Sequence, residues 1–193
     1  CGVISLNLPE TVGFREFFQF NQEMERIQVM KKLLLSLFSV LLASMVMAET
    51  RPFNLSATPD IAIHNRSTTI EGLTLSLWGE NPQTSLAVGL ANGSTGNSVG
   101  LCWGMFLNYA DNYKGVKWGM VNYAGQKATG MDGGMVNYSG TLRGVQFGLI
   151  NFVEATDTGV QIGLVNIIRT NKGWFSNFPN EIAPMMIFVN WRL

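Results

Sequence analysis

Along most of this chain hydrophobic and polar positions alternate, and the alternation is carried by a phrase that recurs. The clearest copies are Gly144-Val145-Gln146-Phe147-Gly148-Leu149-Ile150-Asn151 and Gly159-Val160-Gln161-Ile162-Gly163-Leu164-Val165-Asn166, which start fifteen residues apart. The phrase can be followed upstream as Gly115-Val116-Lys117-Trp118-Gly119-Met120-Val121-Asn122 and Gly134-Met135-Val136-Asn137. Its second glycine falls at Gly89, Gly104, Gly119, Gly134, Gly148 and Gly163. An asparagine follows three residues later as Asn92, Asn122, Asn137, Asn151 and Asn166, or four later as Asn108. Self-similarity at a fixed period marks a repeat architecture.

Successive side chains in a strand point to opposite faces. Val145, Phe147 and Leu149 therefore share one face, and Gln146, Gly148 and Ile150 the other. One face is apolar in every copy, while the other carries Lys117, Asp132, Gln146 or Gln161, each with a glycine two residues on. Turn-forming clusters at 92–97, 111–114, 125–127, 140–142 and 154–157 separate the copies, leaving about ten residues of strand per unit. Upstream, Asn54 to Asn65 and Thr68 to Trp78 read as strands, with Pro59 marking an edge or a turn. Arg169 to Ala183 reads as one extended loop before a final strand. No stretch beyond residue 48 sustains a 3.6-residue apolar period, so no long helix is expected there.

The glycine column has two readings: a place where backbone or a bulky side chain comes too close for a Cβ, or a groove left open for a ligand. The asparagine also has two, a strand-end turn former or a ladder stacked along neighbouring units. Tyr109, Tyr123, Tyr138 and Phe152 each follow an asparagine and line up as a band. Such a band is either packing or an aromatic girdle at a membrane interface.

The first 48 residues differ in character. Residues 1–29 open on Cys1 and mix Phe14, Phe17, Phe18 and Phe20 with Glu16, Glu23 and Glu25 in no period, as an upstream extension would. At Met30 a basic pair, Lys31-Lys32, precedes an apolar run to Met47 that closes on Val46-Met47-Ala48. That order predicts a secretory signal peptide over 30–48 and a mature chain from Glu49. The remaining 49–193 form one all-β repeat domain, long enough to bury a core.

From Glu49 onward, nine basic residues balance nine acidic ones, so no nucleic-acid surface is expected. Cys102 is the only cysteine in that span, which leaves no internal disulfide there. His64 is the sole histidine and has no cysteine or second histidine near it, so no metal site is expected. No nucleophile–base pair, Gly-x-Ser-x-Gly or phosphate-cradling glycine loop is present. Asp132, Glu154 and Asp157 fall on or beside turns, where solvation accounts for them. No enzymatic activity and no cofactor are expected.

Two resemblances add to this. The tandem Gly-[Val/Leu]-Gln-x-Gly-[Leu/Ile]-[Val/Ile]-Asn unit, over about Ser85 to Leu193, resembles that of uncharacterised bacterial surface-repeat proteins. That resemblance implies export and an envelope location, and no biochemical activity. The last strand, with apolar Ile187, Val189, Trp191 and Leu193, is similar to the C-terminal assembly strand of outer-membrane β-barrels, although Leu193 stands where that family has Phe or Trp. The expected architecture is an all-β, small antiparallel barrel of about eight to ten strands built from ~15-residue repeats, in the outer membrane of a Gram-negative-type bacterium. Its partners would be outer-membrane lipid and the barrel-assembly machinery, and its role structural or adhesive. The alternative is a surface β-solenoid in which each unit is one coil, binding a partner or a glycan.

Overall fold

The computed structural model describes residues 24–36 and 49–193. The chain divides into two units, Cys1–Met47 and Ala48–Leu193. In the first, residues 24–36 are helical. The rest of the expected signal segment, 37–48, and most of the expected upstream extension lie outside the described residues. No helix among the described residues is long and apolar enough to cross a membrane.

The second unit is all strand and turn. Its elements are β1 (Thr50–Thr58), β2 (Ile61–Ala62), β3 (Thr69–Glu80), β4 (Leu86–Trp118), β5 (Val121–Gly133), β6 (Val136–Phe147), β7 (Ile150–Ile168) and β8 (Met185–Arg192). Their order in the sheet is β2-β1-β3-β4-β5-β6-β7-β8. From β1–β3 through β6–β7 the pairing is parallel, and each residue lies beside its equivalent about one repeat away: Asn122 beside Asn137, Gly130 beside Gly144, Val145 beside Val160. The chain is a β-solenoid of about six turns.

This corrects the barrel expectation. A barrel of antiparallel hairpins would place strand ends against strand starts, and its last strand would pair with its first. Here β2 and β8 stand at opposite ends of the sheet order. Parallel neighbours ordinarily need a crossover of a dozen or more residues. In this chain the crossover is the remainder of the coil itself, so the short turns are bends within a turn of the solenoid. The irregularities that bend it lie opposite one another at Ala110/Asn112 and Ala124/Lys127, and a further one follows slightly later along the next coil, at Leu142/Arg143.

The direction of the faces is also the reverse of an ordinary soluble strand. Asn122, Asn137, Gln146, Asn151, Gln161 and Asn166 are fully buried, whereas Trp103, Met105, Phe147 and Leu164 are exposed. The apolar interior is small, with Ala124, Ala128, Leu142, Val153 and Ile168 in one cluster and Ala87, Cys102, Ala110 and Tyr113 in another. Most of the repeat's large apolar side chains therefore face outwards.

Both ends of the stack are finished by antiparallel elements. β2 folds back on β1 at one end, and β8 runs against β7 at the other, pairing Gly159 with Arg192 and Gly163 with Phe188. The inward residue of β8 is Asn190, which accepts from Asn171 and donates to the carbonyls of Asn166 and Ala183. Arg192 pairs with the buried Glu181 at 2.7 Å. The strand expected to seal a barrel thus closes one end of a solenoid, a place where unpaired backbone would otherwise recruit another chain.

Candidate functional site

The repeat asparagines form a continuous ladder inside the coil. Asn108 donates to Asn122, Asn122 to Asn137, Asn137 to Asn151 and Asn151 to Asn166, at 2.8–2.9 Å, and Asn92 joins the series to Asn108 at 3.2 Å. Each amide also donates to a backbone carbonyl at the bend: Trp118, Gly133, Phe147 and Ile162 accept from Asn108, Asn122, Asn137 and Asn151 in turn. The asparagines are therefore ladder members as well as bend formers. The extra residue before Asn108 is taken up on the outside, where Met105 and Phe106 are exposed, so Asn108 keeps its rung.

The glycine column lies at the same bend. A Cβ on Gly119, Gly134, Gly148 or Gly163 would sit 1.8–2.3 Å from the carbonyl oxygen of the preceding glycine in the column. Close backbone approach is what excludes a side chain there. The first glycine of the phrase forms a second such column, whose signal was equally present in the sequence. Gly130, for instance, has φ +117° and would place a Cβ 2.1 Å from the Gly115 oxygen.

A third inward column stacks Cys102, Lys117, Asp132, Gln146 and Gln161, all buried. Lys117 Nζ lies 3.1 Å from Asp132 Oδ1, with both side chains almost wholly out of water. Asp132 Oδ2 has no hydrogen-bond partner, and Lys117 Nζ has the ion pair without hydrogen-bond geometry. Burial raises the Asp132 pKa, and the nearby Lys117 ammonium opposes the shift. The turn position expected to leave Asp132 solvated is thus corrected: the aspartate stands where the cleaner repeats have glutamine. Beyond it, Gln161 donates to Gln146 at 2.8 Å and Gln146 to Ser139 at 2.9 Å. Lys117 also sits 5.5 Å from the centre of the Tyr113 ring. These residues are at most 3% exposed, and among the described residues no cluster of three or more His, Cys, Asp or Glu could hold a metal ion.

Cys102 belongs to this sealed column. Its Sγ donates to Asn108 Oδ1 at 3.0 Å, and burial pushes its pKa up to about 12, against the opposing influence of Lys117 and the Asn92 hydrogen bond. Thiolate is the reactive form. At pH 8 iodoacetamide should therefore alkylate Cys102 at least about a thousandfold more slowly in the folded protein than in urea. Peptide mapping by mass spectrometry reads this site separately from Cys1, and equal rates in the two states would show the thiol to be accessible.

On the outside of the same bend, the glycines floor a groove that runs along the solenoid. One wall is built of Trp103, Trp118, Phe147 and Ile162, the other of Met105, Met120, Met135 and Leu149. This stretch of the groove has a volume of about 610 Å³. It continues through Trp103 and Met105 into a wider stretch of about 970 Å³ lined by Leu55, Ile61, Ile63, Leu75, Leu77 and Leu90. Within the first wall Gly133 occupies the position between Trp118 and Phe147, and the Trp118 ring lies where its Cβ would be. No charged side chain lines either stretch. The exposed charges of the repeats, such as Asp111, Lys114, Lys127, Arg143 and Asp157, stand about half a turn away along each coil. In cross-section the solenoid has an apolar edge and a charged edge.

The aromatic band stands between them. Tyr123 and Tyr138 stack at 5.0 Å between centroids and 8° between planes, and Tyr138 and Phe152 at 5.5 Å and 9°. Upstream, Tyr109 accepts from Trp78 Nε1 at 3.0 Å and donates to Glu80 at 2.8 Å. Of the expected assembly strand, Ile187 and Leu193 are exposed and Trp191 donates to the Pro179 carbonyl at 2.8 Å. The structure therefore gathers Gly104, Gly119, Gly134, Gly148 and Gly163 with the ladder at one bend, and places Ile187, Val189, Trp191 and Leu193 in the end cap, whose strand pairs with the last coil at Val160, Ile162 and Gly163. No family model, curated protein or solved structure matches this chain.

Proposed function

We propose that this chain is an exported, non-enzymatic β-solenoid module of the bacterial cell surface, which presents its apolar edge to a partner in the envelope. The observation that carries this reading is the division of the coil. Its interior asparagines bond to one another along the ladder and are shut away from water, while an uncharged apolar groove lies open along the outside. Exposed apolar surface that extends over many turns marks an interaction site. Buried, inaccessible titratable groups offer a substrate nothing to react with. Export is supported by the basic, apolar and small-residue order of 30–48.

A glycan is the weaker partner. In the Tyr123–Tyr138–Phe152 stack the rings cover one another's faces, and the open rings of the groove, Trp103, Trp118 and Phe147, are flanked by Met, Leu, Ile and Gly with no amide, hydroxyl or charged side chain to hold a sugar's hydroxyls. An apolar partner in the groove uses surface that is free.

The test is fractionation of cells making the full chain and a Met135→Glu/Leu149→Glu variant. Both positions are exposed, so the fold should survive. N-terminal sequencing should give Glu49 for both proteins. The parent should be retained by the envelope, and the variant should be released. Equal retention would remove the apolar edge from its assigned role, and a mature chain still carrying Lys31 would remove export by signal cleavage.

A further inference from the structure

We infer that the groove above the glycine column is a binding site for a single extended alkyl chain, the acyl tail of a fatty acid or lipid. This deepens the proposed role of the apolar edge and rests on it. Three features of the groove select that occupant.

The first is hydrogen bonding. The bend that makes the floor has its backbone groups engaged within the solenoid. Gly119, Gly134 and Gly148 donate to the carbonyls of Gly133, Phe147 and Ile162 on the next coil, and those same carbonyls accept from the asparagine ladder. Met135 and Leu149 likewise donate to the carbonyls of Met120 and Met135. A peptide added as a strand needs free edge donors and acceptors, and a sugar needs polar side chains. An alkyl chain needs neither.

The second is length. From Gly89 to Gly163 the column crosses five steps between stacked coils, which at about 4.8 Å each gives a straight channel of about 24 Å. One bilayer leaflet, spanned by a single acyl chain, accounts for about 15 Å of a hydrocarbon core about 30 Å thick. The groove holds such a chain along its whole length, with room at the wider end for a head group outside the walls.

The third is the character of the walls. Met105, Met120 and Met135 are unbranched and polarizable, suited to a chain without fixed shape. Trp103 and Trp118 supply flat apolar surface opposite them. The absence of any carbon side chain on the floor, enforced by the close approach of the coils, lets a chain about as thick as a methylene row settle between the walls.

The experiment uses the purified full chain and fatty acids of eight to sixteen carbons carrying a doxyl quencher, read by tryptophan fluorescence. Binding should saturate at one acid per chain, quench Trp103 and Trp118, and tighten by up to about fourfold for each added methylene. Met135→Glu and Leu149→Glu should each weaken it at least tenfold. Lys127→Glu, on the charged edge, should leave it unchanged. Absence of saturable binding overturns the inference, as does binding indifferent to Met135→Glu and Leu149→Glu. Light scattering and flotation with phosphatidylcholine vesicles are run in parallel. A dimer that Leu149→Glu dissociates, or vesicle binding without uptake of free acid, would replace the acyl chain with a second copy or an intact bilayer. In those two cases envelope retention would still depend on the apolar edge, so this inference would fail while the broader reading stood. Retention indifferent to both substitutions would bring down the broader reading itself.

Discussion

Gly148→Ala should lower the stability of the solenoid by about 3 kcal/mol, and Gly148→Val by more, in urea unfolding followed by circular dichroism. An added Cβ at this position stands 2.2 Å from the Gly134 oxygen and 2.6 Å from Asn137 Nδ2. Overpacking a well-packed site typically costs about 1–3 kcal/mol, and here the obstacle is backbone held on both sides by parallel pairing, so relaxation must push neighbouring coils apart. It must also move Asn137, which sits in the middle of the ladder. Position along the stack should matter as much as the clash. Stability in a solenoid is a sum of nearest-neighbour terms. Gly163→Ala, with a Cβ only 1.8 Å from the Gly148 oxygen but near the capped end, should fray the terminal coil and leave earlier coils protected in hydrogen exchange. Gly125→Ala is the control, because its Cβ would first meet Tyr123 at 3.4 Å, an ordinary contact, and its backbone needs no positive φ. It should be neutral, or stabilising by about 0.4–1 kcal/mol through the unfolded state. A Gly148→Ala protein as stable as its parent would mean that the coils are not held at the observed separation.

Much of this architecture could be read before any coordinates. The fifteen-residue step, the strand alternation and the turn clusters specify an all-β repeat domain, and the solenoid is one of the two forms they allow. What alternation cannot tell is which face is inside. In most soluble strands the apolar face is buried, and in a membrane barrel it meets lipid; the coil of this chain turns Gln146 and Asn151 inwards and Phe147 and Leu149 outwards. The signal for parallel stacking was nevertheless in the columns. Asparagine over asparagine and glycine over glycine at every step is useful only when equivalent residues lie side by side in register, since an antiparallel pair would set Asn137 against a different segment of the phrase. The C-terminal strand misled because period-two apolarity at Ile187, Val189, Trp191 and Leu193 is shared by any strand with one exposed face. The groove was half legible. Its glycine floor was visible as a column, but its walls come from residues that reach one bend only when the coils stack. Lys117 and Asp132 were likewise fifteen residues apart and of opposite charge, at the position held by glutamine in the next two copies. Reading that position as a stacked column would have predicted the buried pair.

That pair gives the second large effect. Replacing both partners with the residue their own column already uses, as Lys117→Gln/Asp132→Gln, should stabilise the protein by about 1 kcal/mol at pH 8, at the low end of the range of about 1–4 kcal/mol gained when buried ion pairs give way to well-packed hydrophobic residues, because glutamine amides still leave water. The reason is that two charges leave water for a site in which Asp132 Oδ2 receives no hydrogen bond. Glutamines there can continue the chain of bonds that Gln161 and Gln146 already form. The sign of the pH dependence follows from Asp132. Burial raises its folded-state pKa above the unfolded value. The native state therefore holds that proton more tightly than the unfolded chain. Its contribution to stability is complete below an ordinary aspartate pKa of about 4 and is lost as pH rises through the folded value. The parent should lose stability relative to the double variant between pH 4 and pH 8, and the gap between their urea midpoints should widen over that range. Lys117→Gln alone acts in the opposite direction. Without the ammonium that restrains it, the Asp132 pKa moves further up, and at pH 8 an uncompensated buried carboxylate should lower stability by about 3–5 kcal/mol. A double variant less stable than the parent, or a gap that does not change with pH, would mean that the Lys117–Asp132 attraction outweighs its desolvation and that the pair holds the third and fourth copies of the phrase together.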